Sequence, residues 1–116
     1  MAGQEEFLTL FLQHQADLRA FIGSLVRDRH AREDVFQQVA LILWQEFARY
    51  DRSRPFGAWA RGIAANKVMQ QWERDRRVPV PFSPEAIRAV AEAYDRTEAD
   101  GSLRADALEQ CLEELP

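Results

Sequence analysis

A chain of 116 residues with 47% hydrophobic content can build one compact domain with a modest core and is too short for two independent ones. A net charge of −4, taken alone, speaks against a nucleic-acid partner, and a single cysteine, Cys111, excludes an internal disulfide. The longest apolar runs, such as Val39 to Leu43, fall far short of the roughly 20 residues needed to cross a bilayer.

The acidic opening Met-Ala-Gly-Gln-Glu-Glu is followed by no signal-peptide h-region, so a cytoplasmic protein without membrane association is expected. From Glu5 to Val26, Phe7, Leu8, Phe11, Leu12, Leu18, Phe21, Ile22 and Leu25 recur at three-and-four spacing, which predicts a first amphipathic helix. The polar cluster Arg27 to His30 interrupts it. A second helix is expected from Ala31 to Ala48, its apolar pattern running through Val35, Val39, Ile42, Leu43 and Phe47, with Val35, Val39, Ile42 and Phe47 facing the core. Tyr50 to Pro55 is a turn, and Pro55 suits the start of a third helix from Phe56 to about Arg76. Val78 to Pro84 places three prolines within six positions and ends the domain. Ser83 as N-cap with Pro84 behind it predicts a fourth helix to Arg96. Residues 95 to 104 are expected to be solvated and disordered, with a short last helix from Ala105 to Leu115. The fold class is therefore all-α, a three-helix core followed by a short helical, partly mobile acidic tail.

Charge is segregated along this chain. Residues 1 to 48 carry four arginines against seven carboxylates (−3), residues 49 to 78 eight cations against three (+5), and residues 79 to 116 three against nine (−6). The basic block offers an anionic ligand a landing place, and the acidic tail could fold back over it.

Two surfaces stand out. On the second helix Asp34, Gln37, Gln38 and Leu41 share a side separate from the core stripe, and Leu41 and Trp44 are large apolar residues outside that stripe, a pattern of anchors rimmed by polar groups. Between Tyr50 and Arg77 cationic and aromatic side chains alternate, which suits single-stranded nucleic acid: guanidinium and ammonium groups neutralise phosphate while rings stack on unpaired bases. Phe56 and Trp59 are read as core. Arg61, Asn66, Lys67 and Arg74 cannot all be buried without partners, so some of them should be exposed. No hydrolase triad, phosphate-cradling glycine loop or metal-ligand spacing is present, and His14 and His30 lie far apart in sequence; neither catalysis nor a metal or cofactor is expected.

Glu33-Asp34-Val35-Phe36-Gln37-Gln38, running on to Leu43-Trp44, resembles the acidic-acidic-apolar-apolar-Gln-Glu…Leu-Trp signature of region two in the extracytoplasmic-function group of bacterial RNA polymerase sigma factors. Pro55-Phe56-Gly57-Ala58-Trp59-Ala60-Arg61-Gly62-Ile63-Ala64-Ala65-Asn66-Lys67 resembles that group's Phe-x-x-Trp-Leu-x-x-Ile-Ala-x-Asn segment. The resemblance implies a non-enzymatic transcription initiation factor that binds core RNA polymerase and recognises and melts the promoter minus ten element. It assigns Asp34, Gln37, Gln38, Leu41 and Trp44 to the clamp coiled coil of the polymerase β′ subunit. Arg52, Ser53, Arg54, Arg61, Asn66, Lys67 and Arg74 go to the non-template strand of promoter DNA, and an anti-sigma factor becomes a candidate partner. It divides the chain into a region-two domain (1–78), a linker with a short helix (79–106) and the beginning of region four (107–116). Gln38 stands where the group has Glu, and Gly62 interrupts the third helix, for which close helix packing is the expected reason. The helix-turn-helix that reads the minus thirty-five element is absent, so a piece of a longer protein is expected. A helical protein-protein adaptor without nucleic-acid binding is the alternative reading.

Overall fold

The computed structural model of the chain describes residues 2–74 and 83–98. They form α1 (Ala2–Leu25), α2 (Arg29–Glu46) with a 3₁₀ turn Phe47–Arg49 at its end, α3 (Phe56–Arg74), and α4 over residues 84–98, with no strand among the described residues. The final helix expected from Ala105, and Cys111 with it, lie outside the described residues.

Each boundary has a local cause. Asp28 caps α2, its carboxylate accepting from Ala31 N at 2.9 Å, which satisfies one of the amides that a helix start leaves without an intrahelical partner. That cap moves the start of α2 two residues ahead of the expected Ala31. Residues 47–49 tighten into a 3₁₀ turn, and Tyr50 then leaves the helix in an extended conformation. Ser83 caps α4 through Ala86 N to Ser83 Oγ at 3.1 Å, with Pro84 in the first turn where a missing N–H costs nothing.

The core lies between α1, α2 and α3. Phe7, Leu18, Phe21, Ile22 and Leu25 enter it from α1; Val35, Phe36, Val39 and Leu43 from α2; Phe56, Ala60, Ala64 and Val68 from α3. Small residues on α3 let its backbone approach its neighbours closely. Two expectations on apolar phase are corrected. Leu43 is fully buried whereas Ile42 is only partly so, and Leu8 and Leu12 lie on the exposed side of α1. At about 100° per residue, Val35, Val39 and Leu43 are aligned at four-residue steps, so the stripe runs through Leu43 and leaves Ile42 at its edge.

The expectation of disorder from residue 95 is also corrected for residues 95–98, which continue α4. Ile87 of α4 is fully buried, Val90 and Ala91 pack against the core, and the Tyr94 ring meets Phe21 edge-on at 5.5 Å. Burying one isoleucine side chain contributes about 1.5–3 kcal/mol, enough to hold a short helix against its neighbours.

Candidate nucleic-acid and protein-docking surfaces

Asp34, Gln37 and Leu41 are exposed on one side of α2, Gln38 partly so, and Trp44 continues the row a turn later. Leu41 is 56% and Trp44 45% exposed, although the Trp44 ring rests edge-on against Phe7 at 5.3 Å. The ridge is thus anchored on the core beneath it while its outer surface stays open.

The loop after α2 is built on rings. Tyr50 stacks on Trp59 at 4.6 Å and on Phe47 at 5.8 Å, and its hydroxyl donates to the Arg54 carbonyl. Burial pushes the Tyr50 phenol above its ordinary range. Asp51 organises the turn by accepting from Ser53 N at 3.0 Å and Ser53 Oγ at 2.7 Å, bonds that hold its carboxyl below the usual range. Arg52 is committed to the fold: Nη1 donates to the carbonyls of Phe47 (3.2 Å) and Tyr50 (2.9 Å), Nε pairs with Glu6 at 2.8 Å, and the guanidinium lies 4.3 Å from the centre of the Phe47 ring. Ser53 and Arg54 stay exposed at the tip of this turn. Phe56 is buried in the core as expected, and Trp59 is half-buried against it.

On α3, Gly62, Asn66, Gln70 and Arg74 follow one another at four-residue steps, and all are exposed. Lys67 beside them donates to Gln70 Oε1 at 3.1 Å. Nothing lies within 4 Å of a β-carbon placed on Gly62, so the expectation that close helix packing explains this glycine is corrected.

Arg61 is the principal correction. It was expected on the nucleic-acid surface, yet only 1% of it is exposed. Its phase explains this, because Gly57, Ala60, Arg61, Ala64, Ala65 and Val68 make up the buried seam of α3. The guanidinium is compensated by three carboxylates: Nη1 donates to Asp17, Nη2 to Asp95 at 2.6 Å and to Glu98 at 2.7 Å, and Nε to Asp95 at 3.1 Å. Burial alone would lower the Arg61 pKa, but Glu98, Asp95 and Asp17 outweigh it and hold the guanidinium above its usual value. Glu98 also meets His14 Nε2 at 3.2 Å. Arg61 therefore joins α1, α3 and α4, and its burial closes it to an outside phosphate. One signal for it was readable in the sequence, the excess of carboxylates that follows the basic block.

Taken together, the bundle displays an amphipathic ridge on α2 and, on α3 and the loop before it, a separate surface of polar and cationic side chains; this defines an all-helical domain with two distinct exposed faces. The chain belongs to the Sigma-70 region 2 family, whose model matches residues 10–78. It is 39% identical over 103 residues to the ECF RNA polymerase sigma factor SigD of Mycobacterium tuberculosis and of Mycobacterium bovis, a match covering 84% of this chain and 47% of theirs. To the RNA polymerase sigma factor CarQ of Myxococcus xanthus it is 31% identical over 110 residues, covering 92% of this chain and 63% of that one. The chain thus spans about half the length of the SigD proteins it matches. No solved structure matches it significantly. No described helix is long and apolar enough to cross a membrane.

Proposed function

We propose that the chain acts in the cytoplasm as the core-binding and promoter-melting part of an ECF-type sigma factor, without enzymatic activity of its own. The observation that carries this reading is the ridge on α2. Asp34, Gln37, Gln38, Leu41 and Trp44 form one row in which two large apolar side chains, both more than two-fifths exposed, are flanked by hydrogen-bonding groups. Such a row fits a protein partner, since exposed apolar anchors rimmed by polar groups are what a partner desolvates. The partner assigned to it is the clamp coiled coil of the β′ subunit of core RNA polymerase.

The other surface takes the non-template strand of the minus ten element. Ser53 and Arg54 at the loop tip and Asn66, Lys67 and Arg74 on α3 remain in this assignment. Arg52 takes part mainly by fixing the loop, and Arg61 is withdrawn because it is buried against three carboxylates. The exposed backbone at Gly62 lets a strand approach α3 closely. Strand opening draws on binding energy, with contacts to unpaired bases offsetting an unstacking cost of a few kcal/mol. Residues 1–78 constitute the region-two unit, 79–106 the linker and 107–116 the beginning of region four.

Co-purification with core RNA polymerase tests the reading. The unaltered chain should be retained by immobilised core enzyme, and a Leu41→Ala/Trp44→Ala variant with unchanged helical content should be lost from it. Equal retention of the two would remove the α2 ridge from the interface. Absence of retention for both, together with absence of salt-sensitive binding to single-stranded promoter DNA, would leave a protein-only adaptor as the better description.

A further inference from the structure

All four arginines of the acidic first 48 residues fall between positions 19 and 32, around the junction of α1 and α2. Three of them, Arg19, Arg29 and Arg32, line one open groove of about 220 Å³ whose floor includes Ile22 and Phe36. A single carboxylate shares this lining, that of Glu33, so the groove carries a balance of two positive charges inside a chain whose net charge is −4.

Two of these cations are held in place, in different ways. Arg19 forks onto Glu33, Nη1 at 2.9 Å and Nη2 at 3.4 Å, and lies 3.7 Å over the Phe36 ring. The hydrogen bond from Arg19 holds the Glu33 carboxyl below its usual range, so that pair stays charged. Arg32 spends its Nε on the Val26 carbonyl, which orients the guanidinium and leaves both terminal nitrogens available. Arg29, whose charge also acts on the Glu33 carboxylate, and the terminal nitrogens of Arg32 form no close ion pair among the described residues. Guanidinium donors fixed before a ligand arrives lose little freedom when it binds, and their planar fork matches the oxygens of a phosphate group.

We propose that this groove, whose lining residues belong to neither face described above and which adjoins the α3 face at Arg74, is a phosphate-binding site whose ligand is a phosphodiester of duplex DNA. The position favours DNA over a free phosphate compound. The Trp72 indole donates to the Leu25 carbonyl at 3.2 Å, which brings the last turn of α3, with exposed Arg74, to the same end of the bundle as the groove. A duplex lying across that end meets Arg74 and the groove arginines together. The contact reads no bases and contributes affinity and register. In its DNA form the inference rests on the promoter-binding reading; the existence of a phosphate site does not.

The test uses the full chain with two probes, a labelled duplex oligonucleotide of arbitrary sequence over a range of salt and inorganic tripolyphosphate by calorimetry. Arg29→Ala/Arg32→Ala should weaken duplex binding about tenfold at low salt. It should also flatten the plot of log affinity against log salt by about 2, since each phosphate contact adds about 0.9 to that slope. Glu33→Gln, which removes the opposing charge, should strengthen binding several-fold, a change that damage to the fold cannot imitate. Unchanged duplex binding with tripolyphosphate affinity lost in the double variant would assign the site to a free phosphate compound. If the unaltered chain binds no DNA, the promoter reading fails and the tripolyphosphate measurement still decides the groove. Indifference of both probes to all these substitutions overturns the proposal.

Discussion

A β-carbon added to Gly57 would lie 2.7 Å from Oε2 of Glu98, so the bare backbone at residue 57 is what lets Glu98 reach Arg61. The obstructing atoms end a flexible side chain, so in a Gly57→Ala variant the carboxylate should withdraw while the backbone stays. We expect α1 to α3 to keep their helical content and residues 87–98 to exchange their amide hydrogens faster. Unchanged protection there would show that Glu98 finds another route to Arg61.

Arg61→Met keeps volume in the buried seam but leaves Asp17, Asp95 and Glu98 facing one another without a cation. Removing one partner of a fully buried pair costs roughly 3–5 kcal/mol. These carboxylates are 31–43% exposed and can turn to water, so about 1–3 kcal/mol is expected by denaturant unfolding. Single-stranded DNA affinity should change less in this variant than in Lys67→Ala, whose target lies beside the exposed row of α3. The reverse order would return Arg61 to the nucleic-acid surface.

The raised Tyr50 pKa has a consequence at alkaline pH. Below pH 10.0, the ordinary value for the phenol, both folded and unfolded chains hold the proton and the group is neutral to stability. Above it the unfolded chain ionises first, so stability should fall as pH rises from about 10 through the folded pKa. Absorbance at the phenolate band should show one tyrosine ionising late. Tyr50→Phe should abolish that late step and flatten the alkaline loss of stability.

Neighbouring residues on α2 should respond unequally to truncation. Leu43 is fully buried, so Leu43→Ala should cost about 2–5 kcal/mol, whereas Ile42→Ala at a partly exposed position should cost clearly less. Thermal unfolding of the two variants side by side checks this, and equal losses would place both in the core.

The helices could be read in advance because their signals are local. Ser83 before Pro84 and the three-and-four spacing of Phe21, Ile22 and Leu25 act through neighbours a few positions away, whereas the Asp28 cap ahead of α2 escapes the apolar spacing, which starts that helix two residues late. The open side of α2 was readable too, since Leu41 and Trp44 lie off the stripe through Val35 and Val39. What escaped depended on partners remote in sequence. Arg61 looks like any cation in a basic run until Asp17, 44 residues before it, and Asp95, 34 after it, converge on it. The choice of Leu43 over Ile42 depended on the angle at which α2 meets α1 and α3, which spacing alone leaves open by one residue. The groove arginines were diluted by the acidic average of their segment, and only the fold of α1 against α2 gathers them.

The docking of α4 also fixes where the rest of the polypeptide departs. With Ile87 sealed into the bundle and Glu98 tied to His14 and Arg61, the described residues stay attached as far as residue 98, well beyond the end of α3 at residue 74. A domain joined beyond that point would be tethered from beside the middle of α1. Residues 75–98 would then add little to its reach, which raises its effective concentration around a shared ligand over that of a domain tethered directly from α3.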